Sequence, residues 1–330
     1  MILIAVMWIV LSFAFWGLGK FLTGIFRARE HGDFTESGHL FLGLSFAGLL
    51  TSIWYCFFPV NMVWGGILVG LGLGSAFANL SALQKFRTES PWIIGFCFFL
   101  FGGLLIKAAA PTGFYDCGLY YVQTIRWAQA FSAVPGLGNV HVRFGNASAW
   151  LFLTAAFDWP TLFRGDFDDL GELLLLWFAT FHAANALRNT GFERFLSIGL
   201  ILFSVWQGQH LLSAPSPDLA CGLLGMQTLW QFRKFLKSWN PKEPNRLGNR
   251  GMALFFQSLF VAQVKLSAFP FLLICVLVIF LLLRKGWVLN AFKLTSVGLA
   301  VAGFMMYRNY LLSGHAKPGK LHSRDRKSVV

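Results

Sequence analysis

Charge is what this 330-residue sequence has least of: 12% of its residues are charged and 14 are acidic, while 56% are apolar and 17% aromatic. Soluble domains carry about 25% charged residues, so the composition excludes a soluble enzyme, and its apolar content excludes a disordered chain. Cysteine is also sparse. Cys56, Cys97, Cys221 and Cys275 fall in apolar runs and Cys117 in a loop. No pair has metal-ligand spacing, which argues against a zinc site or a disulfide framework. No basic residue precedes the first apolar run, 2–19, and no Ala-x-Ala site follows it. It reads as an uncleaved span, not a signal peptide. The chain also lacks an evident internal repeat.

What is present is a succession of long apolar runs separated by short basic clusters. A crossing helix needs roughly 20 apolar residues. By that standard the runs 2–19, 38–59, 61–83, 91–109, 171–187, 195–214, 219–232, 251–264, 266–283 and 287–307 are candidate spans. The predicted fold is therefore all-α, a polytopic transmembrane helical bundle of about ten spans. A further apolar run, 147–160, is too short for a comfortable crossing and suits a re-entrant or interfacial segment in an outer-face loop, 110–170.

Basic residues arbitrate the topology, because Lys and Arg concentrate on the cytoplasmic side. If 147–160 does not cross and the N-terminus lies outside, the inner loops hold Lys20, Arg27, Arg29, Lys85, Arg87, Arg188, Arg194, Arg284, Lys285 and the strong cluster Arg233, Lys234, Lys237, Lys242, Arg246 and Arg250. The outer loop keeps Arg126, Arg143 and Arg164, with the acidic cluster Asp166, Asp168 and Asp169. If the run did cross, the strongest basic loop would face outward. The net charge of +13 is then a consequence of loop sidedness, and no nucleic-acid partner is expected.

This topology gathers Asp116, the Pro215-Ser216-Pro217-Asp218 turn, Lys265 and Arg308 near one membrane face. Asp116 follows the fourth span and precedes residues 119–131, an expected interfacial helix with Leu119, Val122, Ile125 and Trp127 in the head groups and Gln123, Arg126 and Gln129 polar. A carboxylate there is placed to take a proton from an acceptor hydroxyl; the plainer alternative is a helix N-cap. Asp218 has the same two readings. Lys265 interrupts an apolar stretch and is either a functional cation or a snorkelling side chain. Arg308, beside Tyr307 and Tyr310, fits a phosphate partner or an interfacial anchor. His141 and Arg143 are candidates for anionic or sugar groups, against a solvated loop. His210, with Gln207, is a weaker candidate, with helix-to-helix hydrogen bonding as its alternative. His182 and Lys293 lie unexplained within spans.

Several motifs point to structure instead. Gly65, Gly66, Gly70, Gly72 and Gly74 lie in an apolar span without a strand-turn-helix context, so close helix packing explains them better than a nucleotide loop. Asn79-Leu80-Ser81 and Asn146-Ala147-Ser148 match a glycosylation pattern that is common by chance. Trp150, Trp159, Trp177 and Trp206 are expected at the interface or facing lipid.

Taken together, Tyr115-Asp116-Cys117-Gly118-Leu119-Tyr120, Pro135-Gly136-Leu137-Gly138-Asn139, Ser213 with Pro215-Ser216-Pro217-Asp218, Lys265-Leu266-Ser267, and Arg308-Asn309-Tyr310 with Ser313-Gly314 resemble a group of largely uncharacterised bacterial multispanning membrane proteins. That group is similar to the GT-C type of glycosyltransferase, and the likeness runs over about residues 90–314. It implies transfer of a sugar from a polyprenyl-phosphate donor to an envelope glycan or lipid acceptor at the outer face of the bacterial cytoplasmic membrane. It also implies that Asp116 is the catalytic base; Asp218, Lys265, Arg308, Arg126, His141, Arg143 and His210 are then the candidates around the substrates on the reading of the residues above. Cys117 stands where the family pattern often has a second acidic residue, which sets a divalent metal in doubt; that metal is the one cofactor the resemblance brings in. The pattern usually continues past the Ser-Gly turn with apolar sequence, whereas a basic tail, 313–330, ends this chain, so a truncated, inactive copy is one expectation. A transporter or flippase, or a non-catalytic membrane subunit, is the alternative function.

Overall fold

The computed structural model describes residues 1–26, 36–83, 91–146, 148–163, 169–238, 248–284 and 286–314. Arg27, Arg29, Lys85, Arg87, Arg164, Asp166, Asp168, Lys242, Arg246, Lys285 and the tail from 315 lie outside the described residues. Among those described, every regular element is helical and none is a strand.

The longer helices are α1 (Ile2–Ile25), α2 (Glu36–Trp54), α3 (Met62–Ala78), α5 (Pro91–Ala108), α9 (Leu170–Arg188), α10 (Phe192–Gly208), α11 (Pro217–Ser238), α12 (Gly248–Val264), α13 (Leu272–Arg284) and α14 (Val288–Ser313). Short helices α4 (Leu80–Leu83), α6 (Val122–Ala130), α7 (Ala149–Phe157) and α8 (Pro160–Phe163) fill the connections. Among the described residues, six segments are long and apolar enough to cross a membrane: α1, α2, α5, α9, α14, and α13 with the 3-10 turn Leu266–Phe271 that precedes it. They are compatible with a multi-pass membrane protein. α3 is equally apolar but shorter.

Consecutive long helices run between two ends of the bundle. At one, the Asp218 end, Ser213 Oγ donates to Lys107 O in the last turn of α5, Ala133 N to Tyr55 O after α2, Gly136 N to Leu311 O in α14, and Ser148 Oγ to Val264 O in α12. At the other, the Glu193 end, Arg194 Nε donates to Ala186 O of α9 and Arg250 to Lys234 O of α11.

Close approach of α1, α2 and α3 rests on small residues. A Cβ at Gly17 would lie 1.9 Å from Gly72 O, and one at Gly72 2.3 Å from Ala14 O. Backbones meet this closely in lipid because packing, not water exclusion, holds helices together there. Gly65 likewise abuts Ala156 O, whereas Gly66, Gly70 and Gly74 have open space beside them. The packing reading therefore holds for Gly65 and Gly72, seven residues apart on one face, and not for the other three.

The run 147–160 forms α7, nine residues and about 13.5 Å long. Ser148 caps it by accepting from Trp150 N, and every residue from Ala149 to Phe157 is buried. Both flanks bond to the same end of the bundle: Ser148 to Val264, and Asp158 to Gln129 of α6. This is a short helix enclosed by protein, not one lying in head groups. The expected interfacial helix is corrected in the same way. The buried face of α6, with Thr124, Ile125 and Ala128, packs against α7 instead of entering lipid, and only Leu119 and Arg126 of its expected residues are exposed. Trp150 and Trp177 are also core residues, where Trp206 is exposed; an indole's identity does not distinguish lipid from protein neighbours.

Candidate functional site

The Asp218 end brings together most of the residues singled out from sequence. The segment after α5 enters through a π-helical turn, Cys117–Tyr121, closed by a bond from Val122 N to Cys117 O. Such turns insert an extra residue and re-aim side chains, often at functional sites. Asp116 stands at its N-terminus, yet its carboxylate makes no cap bond. It accepts instead from the Tyr120 hydroxyl at 3.5 Å. Arg143 approaches the same tyrosine, its Nη1 3.4 Å from the hydroxyl and its guanidinium 5.0 Å from the ring centre.

Next to this group, Tyr121 is buried and lies close to Ser216, beside Asp218. Burial raises the Tyr121 phenol well above its ordinary range, Tyr120 raises it further, and the nearby Ser216 hydroxyl only partly offsets this, so it stays protonated. The cap of α11 belongs to Ser216, whose Oγ accepts from Asp218 N at 3.3 Å. Pro217 then occupies the first helical position, where its missing N–H costs nothing. Asp218 is thereby released from capping and pairs with Lys265, which follows α12. Both partners are partly exposed, so they form an open mouth and not a buried lock.

The turn that carries Asp218 is itself clamped. Ser213 has a positive φ of 66°, unusual for a residue with a side chain. Its N–H donates to Glu172 of α9 and its hydroxyl to Lys107 O at 2.7 Å. Glu172 is fully buried. Two helices therefore hold one strained residue, and through it the Pro215–Asp218 turn. Sequence reading did not single out Glu172 or Tyr121 because their partners are distant in the chain.

Arg308 lies apart from this mouth. It is 1% exposed, donates to Ser52 of α2, and has its guanidinium 5.1 Å from the Phe152 ring centre. Ser52 in turn donates to Gln263 of α12 at 2.9 Å. Among the described residues no carboxylate pairs with Arg308, and its Nε has no hydrogen-bond partner. Sequence offered a phosphate partner or an interfacial anchor; its burial removes the anchor, and it ties α14 to α2 and α12 from inside.

The remaining candidates are more peripheral. Arg126 is exposed on α6. His141 accepts from Arg143 N at 3.3 Å and packs edge-on to Phe144. His210 is exposed and bonds its neighbour Gln209, not another helix. Gln207 is the residue that reaches across, to Gly222 of α11. Lys293 is exposed on α14, whereas His182 is buried among Phe178, Phe181 and Trp230. Among the described residues, no three His, Cys, Asp or Glu side chains converge into a metal-binding group.

No curated protein and no solved structure matches this chain. Residues 1–316 match the family described as a domain of unknown function (DUF8201). The match covers the whole mouth and both ends of the bundle, so the chain belongs to the DUF8201 family.

Proposed function

We propose that this chain crosses the bacterial cytoplasmic membrane about ten times, with the Asp218 end outside, and acts there as a GT-C-like glycosyltransferase. Charge distribution supports the orientation. The Glu193 end carries Lys20, Arg188, Arg194, Arg233, Lys234, Lys237, Arg250 and Arg284, while the Asp218 end carries Lys107, Arg126, Arg143, Lys265 and the enclosed Arg308. That asymmetry is the positive-inside pattern.

One observation carries the catalytic reading: Asp116 is a partly exposed carboxylate freed from helix capping, beside a tyrosine that also meets Arg143. In the proposed reaction Asp116 takes the proton of an acceptor hydroxyl as that oxygen attacks the anomeric carbon. The bond from that carbon to the donor phosphate breaks with inversion, and polyprenyl phosphate leaves. Arg143 and Lys265 receive the phosphate's charge, with Arg126 at the approach. Arg308, enclosed as it is, braces the helices around the mouth. Asp116→Asn, expressed and inserted normally, is expected to lose transfer from a polyprenyl-phosphate sugar by at least about 100-fold; retained transfer refutes the assignment.

A second reading, a transporter of a polar or lipid-linked solute, rests on polar residues deep in the bundle. The Asp218–Lys265 pair and the Arg250–Lys234 bond fix the antiparallel register of α11 and α12. That register puts Gln227 and Gln257 at one level, roughly midway, with His182 of α9 beside Gln227. The side-chain nitrogen and oxygen atoms of all three are buried without good hydrogen-bond geometry. Polar groups at such depth mark solute or ion paths in many membrane proteins.

A further inference from the structure

At the end opposite the mouth, one carboxylate serves three cations. Glu193, in the first turn of α10, is 3.0 Å from Arg233, 2.5 Å from Lys234 and 2.7 Å from Lys237, all on the last turns of α11. Three ammonium or guanidinium groups around one carboxylate necessarily lie close to each other, and among the described residues a single negative charge leaves the cluster with two positive charges in excess. Such an excess is costly beside lipid unless another anion joins it. The cations are open to one: Arg233 and Lys234 are about 30% exposed and Lys237 more than half.

The surroundings identify the anion's carrier. Arg233 lies over Phe192 at 5.1 Å, and both Arg233 and Lys234 lie over Trp230. Aromatic residues with basic neighbours mark head-group depth. From this level toward the other end, α10 presents Phe195, Leu202, Phe203 and Trp206 on its exposed side, an uninterrupted apolar face for an acyl chain. A free anion would use only the cations. A phospholipid with a net negative head group uses the cations and the apolar face together.

We infer that the α10–α11 cleft at Glu193 is a binding site for an anionic phospholipid, its phosphate held by Arg233 and Lys237 and its acyl chain laid along α10. Glu193 tempers the site: it orders the three cations but offsets part of their charge. Removing that charge therefore strengthens lipid binding, a sign that a purely structural ion-pair cluster does not produce.

The test is native mass spectrometry of the full-length protein titrated with phosphatidylglycerol, phosphatidylcholine or inorganic phosphate, with thermal unfolding of each variant as the folding control. The wild type is expected to prefer phosphatidylglycerol to phosphatidylcholine by at least about fivefold, an effect on the order of one head-group charge. Glu193→Gln should tighten phosphatidylglycerol binding severalfold, and Arg233→Gln with Lys237→Gln should remove the preference. Equal binding of the two lipids overturns the proposal. So does weaker binding by a folded Glu193→Gln variant, or displacement of the lipid by equimolar phosphate, which would reduce the cleft to a simple anion site. If the double variant unfolds, the sign of the Glu193→Gln change decides alone.

Discussion

Lys265, just past the end of α12, closes an ion pair with Asp218 in the first turn of α11, and this contact sets the register of the two helices at the mouth. Because both side chains are partly exposed, the pair is held in partly aqueous surroundings and contributes little to stability, about 0–1 kcal/mol. Asp218→Asn is expected to leave the unfolding temperature in detergent nearly unchanged while altering transfer. A large loss of stability with unchanged transfer would reassign the pair to a structural role.

The clamp behind that turn behaves differently. Glu172 is buried and accepts from the N–H of Ser213. Glu172→Leu leaves this N–H unpaired beside a strained φ, at a cost of about 1–3 kcal/mol. Thermal unfolding of the purified variant should show a clearly lowered midpoint. An unchanged midpoint would mean that the turn holds itself.

Glycine substitutions along α3 test the helix contacts with their own internal control. Gly72→Ala drives a Cβ into the Ala14 carbonyl, whereas Gly70→Ala meets open space. The first is expected to destabilise by about 1–3 kcal/mol as an overpacked contact. The second should be neutral or slightly stabilising, since alanine favours helix. Equal effects in guided unfolding measurements would contradict the α1–α3 packing.

Much of this architecture is legible in the sequence, because a helix surrounded by lipid must be apolar along its whole length, and each of the ten long apolar runs overlaps a helix, six of the described segments being long and apolar enough to cross a membrane. The shortness of 147–160 also correctly separates α7 from the long helices. What periodicity cannot show is which apolar face meets lipid and which meets protein. Ile125 and Trp150 were expected near lipid for that reason and are core residues. Long-range polar contacts have no local signature either. Tyr121 with Ser216, Glu172 with Ser213, and Arg308 with Ser52 join segments far apart in the chain. Asp116 and Asp218 carried two readings because a capping aspartate and a functional one look alike in sequence. The structure removes only the capping reading, since Ser216 takes the cap of α11 and Asp116 makes no cap bond.

The cluster at the other end makes a pH prediction. Burial opposes ionisation of Glu193, but hydrogen bonds from Lys234 and Lys237 and the charges of Lys234 and Arg233 outweigh it, holding its carboxyl down to about 2. A depressed carboxyl contributes stability that is present above its unfolded value and is lost as pH falls toward the folded one. Stability should therefore decline between about pH 4.5 and 2, and Glu193→Gln should flatten that decline. A decline of the same size in the variant would place its origin elsewhere.

The buried glutamines distinguish the two functional readings. Gln227 and Gln257 have no good hydrogen-bond partner, so replacing both by leucine removes desolvated amides and is expected to be neutral or stabilising. Under the glycosyltransferase reading, transfer survives this double change. Solute transport by the wild type that the double change abolishes while the fold stays intact would favour the transporter.

The central claim is that four separate chain segments build one site on the outer face. Single cysteines placed by Asp116→Cys, Arg143→Cys, Asp218→Cys and Lys265→Cys, with Lys237→Cys as the opposite-end control, in a background without the five native cysteines, can be probed on intact cells with an impermeant thiol reagent. Labelling at the first four positions and not at the fifth is the predicted result. Labelling that separates Asp116→Cys from Asp218→Cys, or that marks Lys237→Cys in their place, would contradict the site and its orientation together.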